Sequence, residues 1–279
     1  MIVAIASGKG GTGKTTVAVS LAISSSPITL IDADVEEPNA NILLRANKPT
    51  SKQARLPFPI VNMNKCDFCE ECSNFCAYNA IVVLEGLRVF AVKEICKSCG
   101  GCALVCPKDA IHEQPRTIGH IRKGERGGVK LIEGELNIAE TTTTRLIGML
   151  LDYEEKNGDV IIDCPPGAAH PTVESLRYAD YVIMVTEPTP LGFHDLKETL
   201  MITKKLNKKV GVIINRSDLG NIDSLKKFLN SKKIPVLLEI PFSEDICLHY
   251  SRGISPSEYS PQWRETFRKL WNYIKKSQN

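Results

Sequence analysis

The chain has 279 residues, 43% of them hydrophobic, a formal net charge of +3 and ten cysteines. This is enough for one large α/β domain, or for a medium domain carrying a small insertion, with a core that needs no disulfides. The interspersed charges argue against a nucleic-acid partner, and no apolar run is long enough to span a bilayer.

Met1-Ile2-Val3-Ala4-Ile5-Ala6 is apolar but too short for a secretion signal, and residues 2–6 read as a strand. The strand runs into Gly8-Lys9-Gly10-Gly11-Thr12-Gly13-Lys14-Thr15, followed by a helix over Thr15–Ser24. The run satisfies G-x-x-x-x-G-K-[ST], a loop whose backbone N–H groups and helix N-terminus cradle phosphates. ATP is therefore expected against Gly8 through Thr16, with Lys14 neutralising the β and γ oxygens and Thr15 reaching Mg2+. Ile28–Ile31 reads as a second strand, delivering Asp32 and Asp34 at its C-terminal end, where open parallel sheets bind ligands.

Between Pro57 and Pro115 the sequence becomes Cys-rich, with short elements, and reads as an insertion over 57–115 between nucleotide-domain segments 1–56 and 116–279. Its halves repeat: Cys66 through Ala80-Ile81 is echoed by Cys96 through Ala110-Ile111. Each half carries C-x2-C-x2-C-x3-C, a spacing in which three close cysteines hold three corners of a 4Fe–4S cluster and the fourth ligand comes from the other run. Cys66, Cys69, Cys72 and Cys106 are thus expected to hold one cluster, and Cys96, Cys99, Cys102 and Cys76 the other. Zinc is the alternative, although it gives no reason for two interlocking triplets. Pro107 follows the second run as in two-cluster ferredoxins, whereas Ala77 follows the first. Cysteines used this way imply a reducing, cytoplasmic setting.

Arg116, His120, Arg122, Lys123, Arg126 and Lys130 read as a solvated Gly-containing loop, with an acidic docking partner as the alternative. Further strands are expected at 160–162, 181–185, 210–214 and 236–240, separated by helices at 140–156, 193–206 and 222–231. The fold class is α/β: a mostly parallel, doubly wound sheet with helices on both faces, carrying an α+β bacterial-type ferredoxin insertion. Trp263, Phe267, Leu270, Trp271 and Ile274 share one helical face, read as a last helix docked on the sheet rather than a membrane-binding amphipathic helix. Cys164 and Cys247, outside the runs, read as small buried thiols.

Lys9, at the second position of the phosphate loop, marks the deviant loop of the MinD, ParA, Mrp and nitrogenase iron protein superfamily. With Ile31-Asp32-Ala33-Asp34-Val35-Glu36-Glu37-Pro38-Asn39, Cys164-Pro165-Pro166-Gly167 and Ile213-Ile214-Asn215-Arg216, the sequence closely resembles MinD-like ATPases with an inserted ferredoxin domain. The resemblance implies an ATP-sandwich homodimer in which Lys9 contacts the nucleotide across the interface. It implies that Asp34 orients the attacking water, that Asp32 and Asp163 belong to the magnesium shell, and that Asn215, Pro241 and Phe242 face adenine. Lys14, Asp34 and Lys9 would then form the catalytic set. His170 stands where many relatives carry a cysteine, and reads as a packed or hydrogen-bonding residue. The expected function is ATP hydrolysis coupling dimer and switch changes to electron transfer from two 4Fe–4S clusters to a protein acceptor. A cofactor or iron–sulfur maturation ATPase, and a MinD-like positioning ATPase with redox-sensing clusters, are the alternatives.

Overall fold

A computed structural model describes residues 1–152 and 158–277. In chain order the elements are β1 (Ile2–Ala6), α1 (Lys14–Ser24), β2 (Ile28–Asp32), α2 (Ala40–Leu44), β3 (Asn47–Val61), α3 (Glu71–Phe75), β4 (Ile81–Leu84), β5 (Arg88–Ala91) and α4 (Gly101–Leu104). They continue as β6 (Ile111–Arg126), β7 (Val129–Leu136), α5 (Thr143–Asp152), β8 (Val160–Asp163), α6 (His170–Arg177), β9 (Tyr181–Thr186), α7 (Pro190–Lys205) and β10 (Lys209–Asn215). The last are α8 (Ile222–Ser231), β11 (Val236–Ile240), α9 (Glu244–Ser251), α10 (Pro256–Tyr259) and α11 (Pro261–Lys276). The large sheet has the order β11-β10-β9-β1-β8-β2-β7-β6-β3. The chain divides into two compact units, one of Met1–Ser51, Ile121–Glu135 and Ile147–Asn279, the other of Lys52–His120 and Leu136–Leu146.

In the first unit the pairs β1–β8, β1–β9, β2–β7, β2–β8, β9–β10 and β10–β11 are all parallel. Strands covered on both faces read as unbroken apolar runs rather than alternating ones, and every residue of β9 and Val3–Ala6 of β1 is buried. The register sets Ile5 opposite Asp163 and Asp32 opposite Asp163, so two acids lie side by side at the C-terminal ends of β2 and β8.

The apolar face of α11 packs with α1: Phe267, Leu270, Trp271 and Ile274 share a core with Val17, Leu21, Val3 and Ile5. Burying those four large side chains contributes about 2 kcal/mol each, which explains a docked helix. Ser260 caps it, its hydroxyl accepting from the Trp263 N–H at 3.3 Å. None of the described helices is long and apolar enough to cross a membrane.

The basic stretch from Arg116 is not a loop. It lies in β6, which turns through Gly127-Gly128 into β7. Both glycines have positive φ, 56° and 78°, as a tight hairpin turn demands. Arg122 pairs with Glu133 at 3.7 Å and with Glu135, and Arg126 pairs with Glu258 at 2.8 Å, so acids on β7 and α10 neutralise the run. The helix expected over 140–156 begins at Thr143, and its part beyond Asp152 lies outside the described residues.

The second unit carries the internal repeat in its backbone. Phe68, Glu70 and Asn79 have positive φ of 60°, 62° and 50°, and Ser98, Gly100 and Asp109, at the equivalent positions, have 54°, 76° and 47°. Each cysteine run enters a short helix, α3 or α4, after such a residue. The Val92 N–H reaches the Ala80 carbonyl at 2.7 Å and the Asn62 N–H reaches the Ala110 carbonyl at 2.7 Å, one symmetric pair of closures. The segment after β7 belongs to this unit: Arg116 pairs with Glu140, and the Thr141 hydroxyl donates to the Glu94 carbonyl at 3.0 Å. Burial works against the Glu140 carboxylate, but hydrogen bonds from Arg116 and Thr142 hold it below the usual range.

Candidate functional site

The phosphate loop leaves β1 and ends in Gly13, the left-handed N-cap of α1 (φ 90°). A Cβ at Gly13 would stand 2.5 Å from the Asn215 amide nitrogen, and one at Gly8 would stand 2.4 Å from the Asp195 Cβ, so side chains at either position would force the loop apart. The segment Cys164-Pro165-Pro166-Gly167, which the family resemblance makes a switch as it does Asp32 through Asn39, is tied to the loop, with the Gly167 N–H donating to the Ser7 carbonyl at 3.0 Å. A cavity of 440 Å³ opens over the loop, lined by Gly8's successors Lys9 through Thr16 and by Asp34, and it continues to Asn215, Pro241 and Phe242. That volume falls in the range of small-ligand sites.

Lys14 is buried with its ammonium 3.3 Å from Asp163 and 4.0 Å from Asp34. Burial opposes its charge, but Asp163 and then Asp34 outweigh this and hold its pKa above the ordinary value. Burial pushes the Asp34 carboxyl up to about 6 against the pull of Lys14, so it is poised to accept a proton near neutrality.

Asp32, expected in the magnesium shell, is hydrogen-bonded to the backbone. One oxygen accepts the Asp34 N–H at 3.1 Å, and the other accepts the N–H groups of Asn39 and Ala40, both at 2.9 Å. It holds the first switch and the start of α2, and burial beside Asp163 pushes its pKa up to about 8. Asp163, by contrast, keeps one buried oxygen with no hydrogen-bond partner, and the buried Thr12 hydroxyl also lacks one. Orphaned oxygens beside a phosphate loop fit magnesium or its bound water, and Asp163 with Thr15 would hold the ion.

Other expected residues have partners that the sequence did not announce. Lys9 is 3.2 Å from the buried Glu187, which also pairs with Arg216. The Asn215 amide donates to the Thr12 carbonyl at 2.8 Å, so here it braces the phosphate loop. Phe242 is positioned by its N–H, which donates to Asp218 at 2.6 Å. Cys164 is buried as read, but Cys247 is exposed and lines the cavity with Tyr250 and Trp263. His170 is exposed at the first residue of α6 rather than packed. Glu187 and Arg216 were missed as site residues; the only signal was their place directly after β9 and β10, at the ligand-binding edge.

In the second unit Cys66, Cys69, Cys72 and Cys106 line one small cavity, three from the first run and one from the second. Burial pushes the Cys72 thiol up, and the nearby Cys106 and Cys66 add to it; Cys102 is pushed up to about 11 by burial, with Cys96 and Cys99 contributing. Crowded thiols that repel one another as anions suit a cationic iron core. Four thiols around one small cavity are a donor set that fits an iron–sulfur cluster.

Residues 3–256 match the family described as the CobQ/CobB/MinD/ParA nucleotide binding domain. An uncharacterized protein of Methanocaldococcus jannaschii is 28% identical over 285 residues, covering 100% of this chain and 97% of its own length. An iron-sulfur cluster carrier protein of the same organism is 26% identical over 77% of this chain and 59% of its own. The pyruvate synthase subunit PorD of Thermotoga maritima is 40% identical over 63 residues, 23% of this chain and 64% of its own. Among solved structures, the septum site-determining protein MinD of Pyrococcus horikoshii, complexed with Mg-ADP, superposes with a TM-score of 0.63 at 19% identity, covering 99% of this chain and 96% of that one. The mostly parallel α/β sheet is thus the MinD-like phosphate-loop fold, and the chain belongs to the CobQ/CobB/MinD/ParA nucleotide-binding family.

Proposed function

We propose that this protein is an ATPase that couples nucleotide-dependent switch movement and homodimer closure to one-electron transfer from two 4Fe–4S clusters to a protein acceptor. The observation that carries the reading is one chain holding both a complete phosphate-loop site and a cavity walled by Cys66, Cys69, Cys72 and Cys106. When bound, the clusters supply reversible one-electron storage. The residues then divide the nucleotide work: Lys14 neutralises phosphate, Asp34 orients water, Thr15 and Asp163 hold magnesium, and Lys9 reaches the partner's nucleotide. Phosphoryl transfer depends mostly on such positioning, so the γ-phosphate also becomes the signal that the switches at Asp34 and Gly167 report.

The test is coupling. Anaerobic protein should show a cluster potential or spectrum that changes with MgATP, and reduction should change ATP affinity by the same factor, because linkage is reciprocal. Clusters indifferent to nucleotide, in protein that still binds ATP, would refute electron delivery. The similarity to iron-sulfur cluster carrier proteins supports a second reading, in which the clusters are cargo. Transfer of iron and sulfide to an apo-acceptor, with no change of potential, would select it.

A further inference from the structure

The two cysteine loops are copies in backbone but not in charge. A shift of 30 residues places Cys66, Cys69 and Cys72 on Cys96, Cys99 and Cys102; it also places Asp67 on Lys97, Glu70 on Gly100 and Glu71 on Gly101. Between its first and third cysteines the first loop therefore carries three carboxylates, and the second carries one ammonium and no acid. Asp67, Glu70 and Glu71 all line the cavity of the first loop, and the cation beside them is Lys108, 3.5 Å from Asp67.

The second loop is surrounded differently. The Lys97 ammonium donates to the Thr141 hydroxyl at 2.9 Å and to its carbonyl at 3.3 Å, which fixes its position. Arg116, a buried guanidinium, donates to the Cys96 carbonyl at 3.3 Å, and Glu140 balances its charge. One carboxylate, Glu113, approaches Gly100, 3.3 Å from where a Cβ would stand. Asp67, Glu70 and Glu71 stand with Lys108 around the first loop, whereas Lys97 and Arg116 are matched by Glu113 and Glu140 around the second.

Reduction adds negative charge to a cluster already held by four thiolates, and its potential follows net charge, hydrogen bonds to sulfur and exposure. One hydrogen bond to sulfur is common to both: the Ala80 N–H reaches Cys76 Sγ and the Ala110 N–H reaches Cys106 Sγ, both at 3.3 Å. Exposure differs little, since Cys69 and Cys99 are both exposed, and the burial of Cys96 and the approach of Glu113 are features that disfavour reduction at the second loop. Charge is the lever that distinguishes the sites.

We propose that the clusters are unequal, the one held by Cys96, Cys99, Cys102 and Cys76 being the more easily reduced. An electron from a one-electron donor protein that enters at the acidic loop then settles on the second cluster, the first being reoxidised as the second is reduced, with no proton or bond exchanged. The inference rests on the reading that both runs hold 4Fe–4S clusters.

Anaerobic protein would be titrated with dithionite and followed by electron paramagnetic resonance, alongside iron and sulfide analysis. Two reduction waves are expected. Lys97→Glu should lower only the higher-potential wave, and Glu70→Gln with Glu71→Gln should raise only the lower one, each by about tenfold in the reduction equilibrium, or 59 mV for one electron. Glu70 and Glu71 are exposed and Lys97 is half-buried with its ammonium on Thr141, outside the apolar core, so these variants leave that core intact. A single wave of two electrons, or substitutions that move the opposite waves, would overturn the proposal while leaving the two-cluster reading in place. Protein with fewer than two clusters would overturn both.

Discussion

Lys14→Met removes the cation that faces Asp163 in a pocket where Asp32 and Asp163 are both fully buried and opposite one another in register. Leaving a buried charge without its partner costs about 3–5 kcal/mol. The cost has a definite pH dependence. The Asp32 pKa is raised to about 8 by burial and then by Asp163, so its stabilising contribution is full below the unfolded value of about 4 and is lost as pH rises through about 8. Near about pH 6 Asp32 still carries a proton, whereas near about pH 8.5 it adds a negative charge to the pocket that has lost its cation. Wild-type Lys14, with its pKa raised, stays charged at both. The loss should therefore be larger on the alkaline side. Trp263 and Trp271 are the two tryptophans of the chain and both belong to α11, so urea unfolding followed by their emission reads the nucleotide unit alone. An equal loss at the two pH values, or none at either, would refute the reasoning.

Protein prepared without oxygen should carry about eight irons and eight acid-labile sulfides per chain, and Cys76→Ala should damage chiefly the cluster built on the second run; zinc in place of iron ends that reading. Asp34→Asn should keep ATP binding but lose about 10²–10⁴ in turnover, and wild-type turnover should rise with pH through about 6, because the raised pKa of Asp34 leaves it protonated below that. A flat acid limb in a steady-state pH profile would contradict the assignment. Glu187→Gln should free Lys9 from its ion pair and strengthen ATP-dependent dimerisation by up to about fivefold, the factor corresponding to about 1 kcal/mol for a partly exposed pair. Sedimentation with ATP reads this directly, and a weaker dimer would show that Glu187 supports Lys9 rather than restrains it.

What was legible in the sequence is what local pattern enforces. β1, β8 and β9 are buried on both faces, so their apolar runs name them, and Gly13 and Gly8 of the phosphate loop are dictated by close approach to Asn215 and Asp195. β6 and β7 were not legible because charged residues interrupt their apolar positions. Arg122 finds Glu133 and Glu135 only after the hairpin closes, and until then the stretch reads as basic and solvated. The same holds for Arg116, whose partner Glu140 lies in a later segment that no spacing rule connects to the cysteines.

The site divides along that line too. Motif spacing points to residues that would meet a ligand of fixed shape, and Lys14, Asp34 and four of the cysteines line cavities. It does not reveal contacts to the protein's own backbone. The oxygens of Asp32 accept three backbone N–H groups, from Asp34, Asn39 and Ala40. The Asn215 amide donates to the Thr12 carbonyl. A carboxylate bonded to three backbone donors moves when they move, so Asp32 ties the segment bearing Asp34 to the strand end beside Asp163. That arrangement makes the spacing of the two acids sensitive to whatever draws on the switch. A phosphate that recruits Lys14 away from Asp163 would leave that buried acid without its cation unless magnesium arrives with it. The geometry therefore favours binding nucleotide and metal together over binding either alone.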